Sequence, residues 1–580
     1  MYALGVNLSH DRSACLLSDT GDIVAIAEER LDRVKHSCPQ DRLNRWFTVV
    51  PRTSVRYCLR AQGIDFEDLD AVVFCNAAMI GGNAIRNLSV ADCAIQMPWS
   101  PHSHLATVNH HLAHALSAFW PSGFEEAAVL VADKGGSVWD HWQRPDGEPV
   151  PLLERASIYR GAPDGIELVA KIHDRPGDLL WNCNSVGALY EMATLHIGYT
   201  PFDAGKTMGL APYGTTVHAG ELKRHFELTA DGYQISPTVQ SVGPHLFPHF
   251  YGARFGPTNP LPDAPCAHYA NVARAAQEAV EELMVHLARR AYDEVGSRRL
   301  CIAGGMGLNC VANSRIREAV PFEEIFVQPA STDDGTAIGA ALYGLRLLGA
   351  EPPRIDRWRT TLGRSYAGGE IHEAIASSAD LSRSYAEVPR AGPHDVARVL
   401  VEAGVVGLFR GGSEFGPRAL GHRSLIADPR PPRMRAFLNG QVKHREQYRP
   451  YGASVLAERA ADYFAIGRDE RYMLFVCQVR PERRSEVASV VHVDGTCRIQ
   501  TVLEDDDPAY HALISAFAEL TGLPLVLNTS FNGKGEPIVE TPTDAIDAAL
   551  AMDLDALYLD GRLFVHRRPA TRFRQWEAGL

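Results

Sequence analysis

The sequence predicts an α/β protein of two domains, the first built on a duplicated strand meander and the second smaller. Three observations predict it. Short apolar and β-branched runs alternate with runs of helical period along the chain. A three-strand pattern at the N-terminus recurs in outline from Ala127. The segment 349–369, GAEPPRIDRWRTTLGRSYAGG, has paired prolines, glycines and mixed charge but no period, as a connection between domains does. The boundary is therefore placed near Glu351, dividing 1–350 from 351–580. At roughly 150 residues per domain, 580 residues allow two to four domains.

YALGVNL (2–8), ACLLS (14–18) and IVAIAE (23–28) read as strands, with turns at Ser9-His10-Asp11 and Asp19-Thr20-Gly21-Asp22. NHHLAHALSAFW predicts a helix that Asn109 caps and Pro121 ends. The second copy opens with AAVLVAD (127–133), turns at Lys134-Gly135-Gly136 and continues as strands toward Pro145-Asp146-Gly147. In 270–295, Val272, Ala276, Val280, Leu283, Leu287 and Ala291 fall on one side, which marks a packing helix. LCIAGG (300–305) then enters GGMGLN, and IFVQPAS (325–331) enters TDDGTAIGAAL, the start of another helix. Beyond the boundary, VARVLVEAGVVGLFRGG reads as helix then strand, and short elements alternate down to LPLVLNTSFN (523–532).

The net charge of -13 opposes sequence-independent binding to nucleic acid, which depends on many Lys and Arg contacts to phosphate. The N-terminus lacks a basic start and an apolar signal core, and no stretch is apolar enough to span a membrane. The 11 cysteines contain no C-x-x-C pair, so neither a zinc ribbon nor a disulfide framework is signalled, and a reducing cytoplasm is expected.

Backbone N–H groups at glycine turns converge on anions. Gly135-Gly136 alone would be an ordinary tight turn. Two meanders with polar or glycine turns, followed by GGMGLN, instead suggest two phosphate-facing loops and an adenosine-side loop, an arrangement that resembles the ATPase fold of actin, Hsp70 and sugar kinases. His110 and His114, four apart on a helix, share one face; a surface or packing pair is the plainer reading, and metal ligation gains weight from Asp133 at a strand end and from Asp333 or Asp334. In EERLDRVKHS (28–37) the plainer reading is a solvated edge. The alternative sets Lys35 near a phosphate or leaving group and His10 near an acceptor hydroxyl, as a base. In the second domain, Arg418 and Arg423 sit in GGSEFGPRALGHRSLIADPR, and KHREQYRPYG adds Lys443, Arg445 and Arg449. Interleaved with glycine, proline and tyrosine, these suit an oxyanion pocket that Arg498, Asn528 and Ser530 could complete.

Taken in order, GVNLSHDRSACLL, EERLDRVKHS, NHHLAHALSAF, GGMGLN, EFGPRALGHRS, HREQYRPYG, HVDGTCRIQTV and LNTSFN resemble the O-carbamoyltransferase family of nodulation and antibiotic-tailoring enzymes over almost the whole chain. The resemblance implies an actin-like (ASKHA) duplicated N-terminal domain and a YrdC-like C-terminal α/β domain. It implies that carbamoyl phosphate and ATP give carbamoyladenylate, phosphate and pyrophosphate in the C-terminal domain. The N-terminal domain would then pass the carbamoyl group to a hydroxyl of a small natural product, releasing AMP. By the same resemblance, Arg418, Lys443, Arg449, Arg498, Asn528 and Ser530 serve carbamoyl phosphate and ATP, with Arg418 and Arg498 catalytic. Gly305 and Asn309 serve the second nucleotide site, while His10 and Lys35 are the candidates for the transfer from their own places in the first turn and the charged run. A metal, iron(II) by resemblance, sits on His110, His114, Asp133 and Asp333, and Mg2+ accompanies ATP. The family pattern has a small residue where this chain has Lys134.

Three competing readings meet specific objections. tRNA threonylcarbamoyl transfer is opposed by the negative charge, hydrogenase-maturation transfer by the absence of C-x-x-C, and an ATP-dependent sensor or kinase by the arginine-rich second domain. The acceptor is left open among macrolide, ansamycin, aminoglycoside, cephem and chitooligosaccharide alcohols. The region around Trp181 and Tyr190 and the loop 198–214 are candidates to line its site. A homodimer is allowed.

Overall fold

The computed structural model, which describes every residue except 38–48, 82–83, 144–146, 148, 176–183, 237–248, 261–265, 356 and 580, opens on a three-strand antiparallel meander. Its strands are β1 (Tyr2–Asn7), β2 (Ser13–Ser18) and β3 (Ile23–Ala27), with Tyr2 opposite Ser18 and Ser13 opposite Ala27. Two strands parallel to β1, β4 (Ala71–Cys75) and β5 (His104–Val108), extend the sheet to the order β3-β2-β1-β4-β5. Helix α1 (His110–Phe119) leads away from β5. A second meander follows: β6 (Ala127–Ala132), β7 (Pro149–Ala162) and β8 (Gly165–His173). The parallel strands β9 (Arg299–Ala303) and β10 (Glu324–Val327) extend it to β8-β7-β6-β9-β10, and Val138–Gln143 pairs with β7 off this path. Both five-strand paths thus take two antiparallel steps and then two parallel ones. Every residue of β4 and β6 is buried, as expected of strands covered on both faces.

The helices of this unit include α2 (Val186–His196), α3 (Ala267–Val295), α4 (Cys310–Ala319) and α5 (Thr336–Leu347). All six apolar residues read from the period of α3 are buried, and Gly296, at φ 74°, caps its end. Helix α5 is inserted at backbone distance between β1 and α1. A Cβ on Gly5 would stand 2.0 Å from the Ala337 carbonyl oxygen, and one on Gly339 would stand 1.8 Å from that of Ala113. Glycine at both positions is therefore a requirement of packing, and it brings the turn that precedes α5 against α1.

The chain divides into two compact units, Met1–Trp358 and Arg359–Leu580. The second contains β11 (Tyr385–Val388), helix α6 (Pro393–Val401), β12 (Val406–Phe409), β13 (Arg423–Ala427), β14 (Gly452–Leu456), β15 (Val476–Gln478), β16 (Thr496–Val502), helix α7 (Pro508–Thr521), β17 (Leu525–Ser530), β18 (Ala556–Leu559) and β19 (Arg562–His566). These strands form one mixed sheet in the order β11-β19-β18-β12-β13-β17-β14-β16-β15. One continuous apolar core, from Tyr366 to Phe573, lies entirely within this unit. Among the described residues no helix is long and apolar enough to cross a membrane.

Candidate active site

Asn109 caps α1, its side chain accepting from the Leu112 N–H at 3.0 Å, and this fixes the register of the helix. His110 and His114 then project from one face, both fully buried, with their Nε2 atoms 3.2 Å apart. Asp133, just past the end of β6, brings Oδ2 within 3.4 Å of each Nε2. Asp333, in the turn before α5, brings Oδ1 to 3.4 Å from His110 and 3.7 Å from His114. These separations resemble the edge of a tetrahedron with ligand bonds of about 2.1 Å, which is about 3.4 Å. The four ligand atoms all lie within 4.8 Å of one another and could hold one metal ion; two imidazoles and two carboxylates suit a divalent cation of borderline hardness. Asp334 faces elsewhere, accepting from the Thr332 hydroxyl at 2.5 Å and the Gly335 N–H at 2.9 Å. His111 also faces away, its Nδ1 2.8 Å from the Ser157 hydroxyl, and burial pushes its pKa down to about 3.

The β1–β2 turn forms the rim of this cluster. Ser9 donates to Asp333 Oδ2 at 2.5 Å, and His10 Nε2 lies 3.5 Å from the same oxygen. Asp11, at φ 55°, bridges two imidazoles, with Oδ2 3.0 Å from His10 Nδ1 and Oδ1 2.7 Å from His36 Nδ1. Burial pushes His10 down, but the carboxylates of Asp333 and Asp11 more than offset it and lift its pKa to about 10. That lift depends on the bare charge of Asp333, a member of the cation cluster. The His36 ring stacks on Phe202 with centroids 4.6 Å apart. Lys35 is paired with Glu29 at 3.1 Å.

The glycine turns divide in what they offer. Gly304, at φ 86°, passes so close to β6 that a Cβ would stand 2.4 Å from the Ala132 carbonyl oxygen, and one on Gly305 would stand 3.4 Å from Asp133 Oδ1. The GGMGLN turn thus borders the cluster with bare backbone. Asn309 is spent locally: its Oδ1 caps α4 at the Ala312 N–H (3.0 Å) and its Nδ2 donates to Gln277 (3.0 Å). The expectation of a phosphate-facing Gly136 fails, because its N–H donates to the Glu154 carbonyl at 3.0 Å. Lys134 is tied by its ammonium to Glu191 at 2.7 Å. Tyr190 is buried and donates to Gln277 at 2.7 Å, which makes it part of the interior, while Trp181 lies outside the described residues.

In the second unit the buried carboxylate of Glu414 organises the loop that carries Arg418. It accepts from the N–H groups of Leu420 (2.7 Å), His422 (2.9 Å) and Arg423 (3.2 Å). Arg423 is fully buried, its guanidinium 3.6 Å from the Phe409 ring and donating to the carbonyls of Arg410 and Gly411. It therefore holds the loop and is not an anion ligand, whereas Arg418 is only partly buried. Asn528 donates to the Ala419 carbonyl at 3.2 Å and to the Ser454 hydroxyl at 2.9 Å, so it anchors the residue after Arg418. Asn528 is also opposite Gly452 in the sheet, and Ala453 is opposite Ile499, which sets Arg498 one strand beyond Gly452. Arg498 is half-buried and has no side-chain hydrogen bond or carboxylate partner among the described residues. Arg449 lies 3.6 Å from Glu446. Lys443, expected at the substrate, is buried and donates to the carbonyls of Ser530 (2.8 Å) and Asn532 (2.7 Å) and to Asn532 Oδ1 (2.6 Å), so it shapes the NTSFN turn. Ser530 donates to the same Oδ1 at 2.7 Å.

The family model described as carbamoyltransferase N-terminus matches residues 97–342, and that described as carbamoyltransferase C-terminus matches residues 397–566. Nodulation protein NolNO of Sinorhizobium fredii (strain NBRC 101917 / NGR234) is 34% identical over 97% of this chain and 80% of its own. Nodulation protein NolO of Bradyrhizobium diazoefficiens is 36% identical over 81% of each. The chain belongs to the carbamoyltransferase family. Among solved structures, T. kodakarensis HypF is similar with a TM-score of 0.32 and 15% identity, over 60% of this chain and 48% of that one.

For this carbamoyltransferase, reading the sequence missed Asp11, His36 and Ser9 as neighbours of the buried cluster. The available signal was Asp11 itself, an acidic residue directly after His10 in a tight turn, where Asp tolerates positive φ and can hold an imidazole. Glu414 was missed because a carboxylate beside glycines reads as solvated until the loop is seen to fold over it.

Proposed function

We propose that this carbamoyltransferase is an ATP-dependent O-carbamoyltransferase working in two stages. In the second unit, which we read as YrdC-like, carbamoyl phosphate and ATP give carbamoyladenylate with release of phosphate and pyrophosphate. In the first, which we read as a duplicated actin-like domain on the strength of its two matching strand orders, the carbamoyl carbon passes from the adenylate to a hydroxyl of a small natural product, and AMP leaves. The observation that carries this reading is Arg498, a half-buried cation with no counter-charge among the described residues, in a unit distinct from the one holding the His/Asp cluster. A desolvated guanidinium without a carboxylate is costly unless an anion is supplied.

Arg418, Arg449 and Arg498 would grip phosphate oxygens, and Asn528, Lys443 and Ser530 would hold the loop and turn that aim them. In the first unit, Gly305 gives the nucleotide access to backbone beside Asp133, and Asn309 fixes the start of α4 behind it. The residues His110, His114, Asp133 and Asp333 fit a divalent cation, iron(II) among the candidates, which when bound would supply Lewis-acid polarisation of a phosphate oxygen. Were a cation at the cluster to offset the Asp333 charge that lifts its pKa, His10, held by Asp11, would be neutral and could take the acceptor hydroxyl proton. Lys35 and its partner Glu29 brace the segment that carries His36.

The test is ATP–pyrophosphate exchange by the purified protein with and without carbamoyl phosphate. Exchange that requires carbamoyl phosphate and vanishes in Arg498→Ala is expected. No exchange, or exchange indifferent to carbamoyl phosphate, would reject the adenylate.

A further inference from the structure

The glycine turn at 134–136 does hold an anion, and that anion is the protein's own carboxylate. Glu154, on β7, is fully buried, and a Cβ on Gly136 would stand 2.5 Å from its Oε1, so only glycine lets the carboxylate come this close. Oε1 accepts from the Ser137 N–H at 2.9 Å and from the His111 N–H at 3.1 Å. Oε2 accepts from Asn109 Nδ2 at 3.1 Å and from the Lys171 ammonium. The next residue, Arg155, is the extra one of a β-bulge: Glu154 is opposite His173 in β8, but Ala156 is already opposite Ile172. Bulges re-aim side chains beside functional sites. Here consecutive residues of β7 serve one turn, the Arg155 carbonyl accepting from the Asp133 N–H at 3.1 Å and the Glu154 carbonyl from the Gly136 N–H at 3.0 Å.

A helix leaves its first four N–H groups without partners of its own. In α1 all four are met: His110 donates to the Ser137 hydroxyl (3.0 Å), His111 to Glu154, Leu112 to the Asn109 side chain (3.0 Å) and Ala113 to the Asn109 carbonyl (2.9 Å). Two of these bonds tie the helix that bears His110 and His114 to the turn that follows Asp133. A negative charge also suits the positive end of the helix dipole. Stability alone does not call for an ion pair here, because an apolar pair would fill the space without desolvating two charges. What an apolar pair could not do is accept from three donors on two elements. Glu154 does so, with Lys171, its side chain 5% exposed, as counter-charge.

We propose that Glu154 is a positioning residue of the His/Asp cluster, locking the helix that bears His110 and His114 to the turn that bears Asp133, and that Ser137 and Lys171 complete the lock. The inference rests on the reading of that cluster as a cation site. A slip at the lock moves two imidazoles relative to one carboxylate, so it is read in affinity and in coordination geometry together. Cobalt(II) reports both: the full chain, freed of metal by a chelator, is titrated with cobalt(II) and followed by visible absorption, whose bands depend on the geometry of the ligands. Glu154→Gln, whichever way its amide is turned, sets an NH2 group against two of the four donors. It should weaken cobalt by about 10–100-fold, the range for a group that orients a metal ligand from behind, and change the bands. Lys171→Met should weaken cobalt too, and should add little in the Glu154→Gln background, since both act through one carboxylate. Val72→Ala, which opens a cavity in the separate core of the first sheet, should lower Tm while leaving the bands unchanged and the cobalt affinity within about threefold of wild type.

Wild-type affinity and bands in a folded Glu154→Gln would overturn the assignment and leave the cation reading intact. A loss of affinity with unchanged bands, matched by Val72→Ala, would reduce Glu154 to a stability role and overturn it equally. A folded wild type that takes up no cobalt would overturn both. Should Glu154→Gln fail to fold, Ser137→Ala decides: it removes only the hydroxyl that accepts from His110, it should change the bands, and a spectrum identical to that of wild type would reject the lock.

Discussion

Two adjacent carboxylates show how much a single position decides. Asp333 turns one oxygen to the histidine pair and gives the other to Ser9, whereas Asp334 closes its own turn through Thr332 and Gly335. Burial and the nearby Asp11 push the Asp334 carboxyl up to about 7, the signature of a group confined among other acids. Metal analysis of protein purified under identical conditions should find Asp333→Asn depleted to background and Asp334→Asn near the wild-type stoichiometry. Equal retention in both would remove the cluster as a metal site. Glu414 invites a second substitution. Burial raises its pKa, but His422 and the surrounding N–H groups outweigh that and hold the carboxyl low. Glu414→Gln keeps one acceptor and loses the charge, so urea unfolding should show a loss of about 2–3 kcal/mol, with exchange activity falling because the Arg418 loop loosens.

Helices α1 and α5 meet where Gly339 passes the Ala113 carbonyl, and this contact holds the His110 and His114 face opposite the turn bearing Asp333. Gly339→Ala has no room for its methyl. It should cost about 1–3 kcal/mol by overpacking and lower metal occupancy together with Tm. Helix α2 contributes a pH response through His196. This residue is fully buried among the rings of Tyr251, Phe255 and Tyr269, at 5.8, 6.2 and 5.9 Å, with no hydrogen-bond partner for either ring nitrogen among the described residues. Burial, and after it His268, lowers its pKa to about 4. The unfolded chain takes this proton near 6.5, so between about 6.5 and 4 the unfolded state binds more protons and stability falls as the pH drops. The loss should reach about 2 kcal/mol by about pH 5 and be absent in His196→Phe, as Tm measured against pH would show. Elements such as α3 and the two meanders were legible in the sequence because their periods are local. The α1–α5 contact was not, since it joins residues 113 and 339 and depends on the course of the chain between them. The same holds for Arg418 and Arg423, equivalent as letters in one motif: the second falls on β13 and is carried into the core, where the carbonyls of Arg410 and Gly411 accept from it.

At the scale of the whole molecule, a net charge of -13 coexists with the half-buried Arg498, which has no carboxylate partner among the described residues. Each unit also closes its own apolar core: the residues from Tyr366 to Phe573 pack with one another, and those around the first meander form a cluster within residues 4–97. A fold with separate cores allows damage in one unit to leave the chemistry of the other standing. This gives a double dissociation. His114→Ala should lose the metal yet support carbamoyl-phosphate-dependent ATP–pyrophosphate exchange within about twofold of wild type, because no residue assigned to adenylate formation lies in its unit. Arg498→Ala should do the reverse, retaining metal at the wild-type stoichiometry and losing exchange. If the metal-depleted protein also fails to exchange while its Tm is unchanged, the adenylate step draws on the first unit and the division of labour is wrong; if both variants behave as expected, the two stages are chemically separable and the remaining question narrows to which alcohol the first unit accepts.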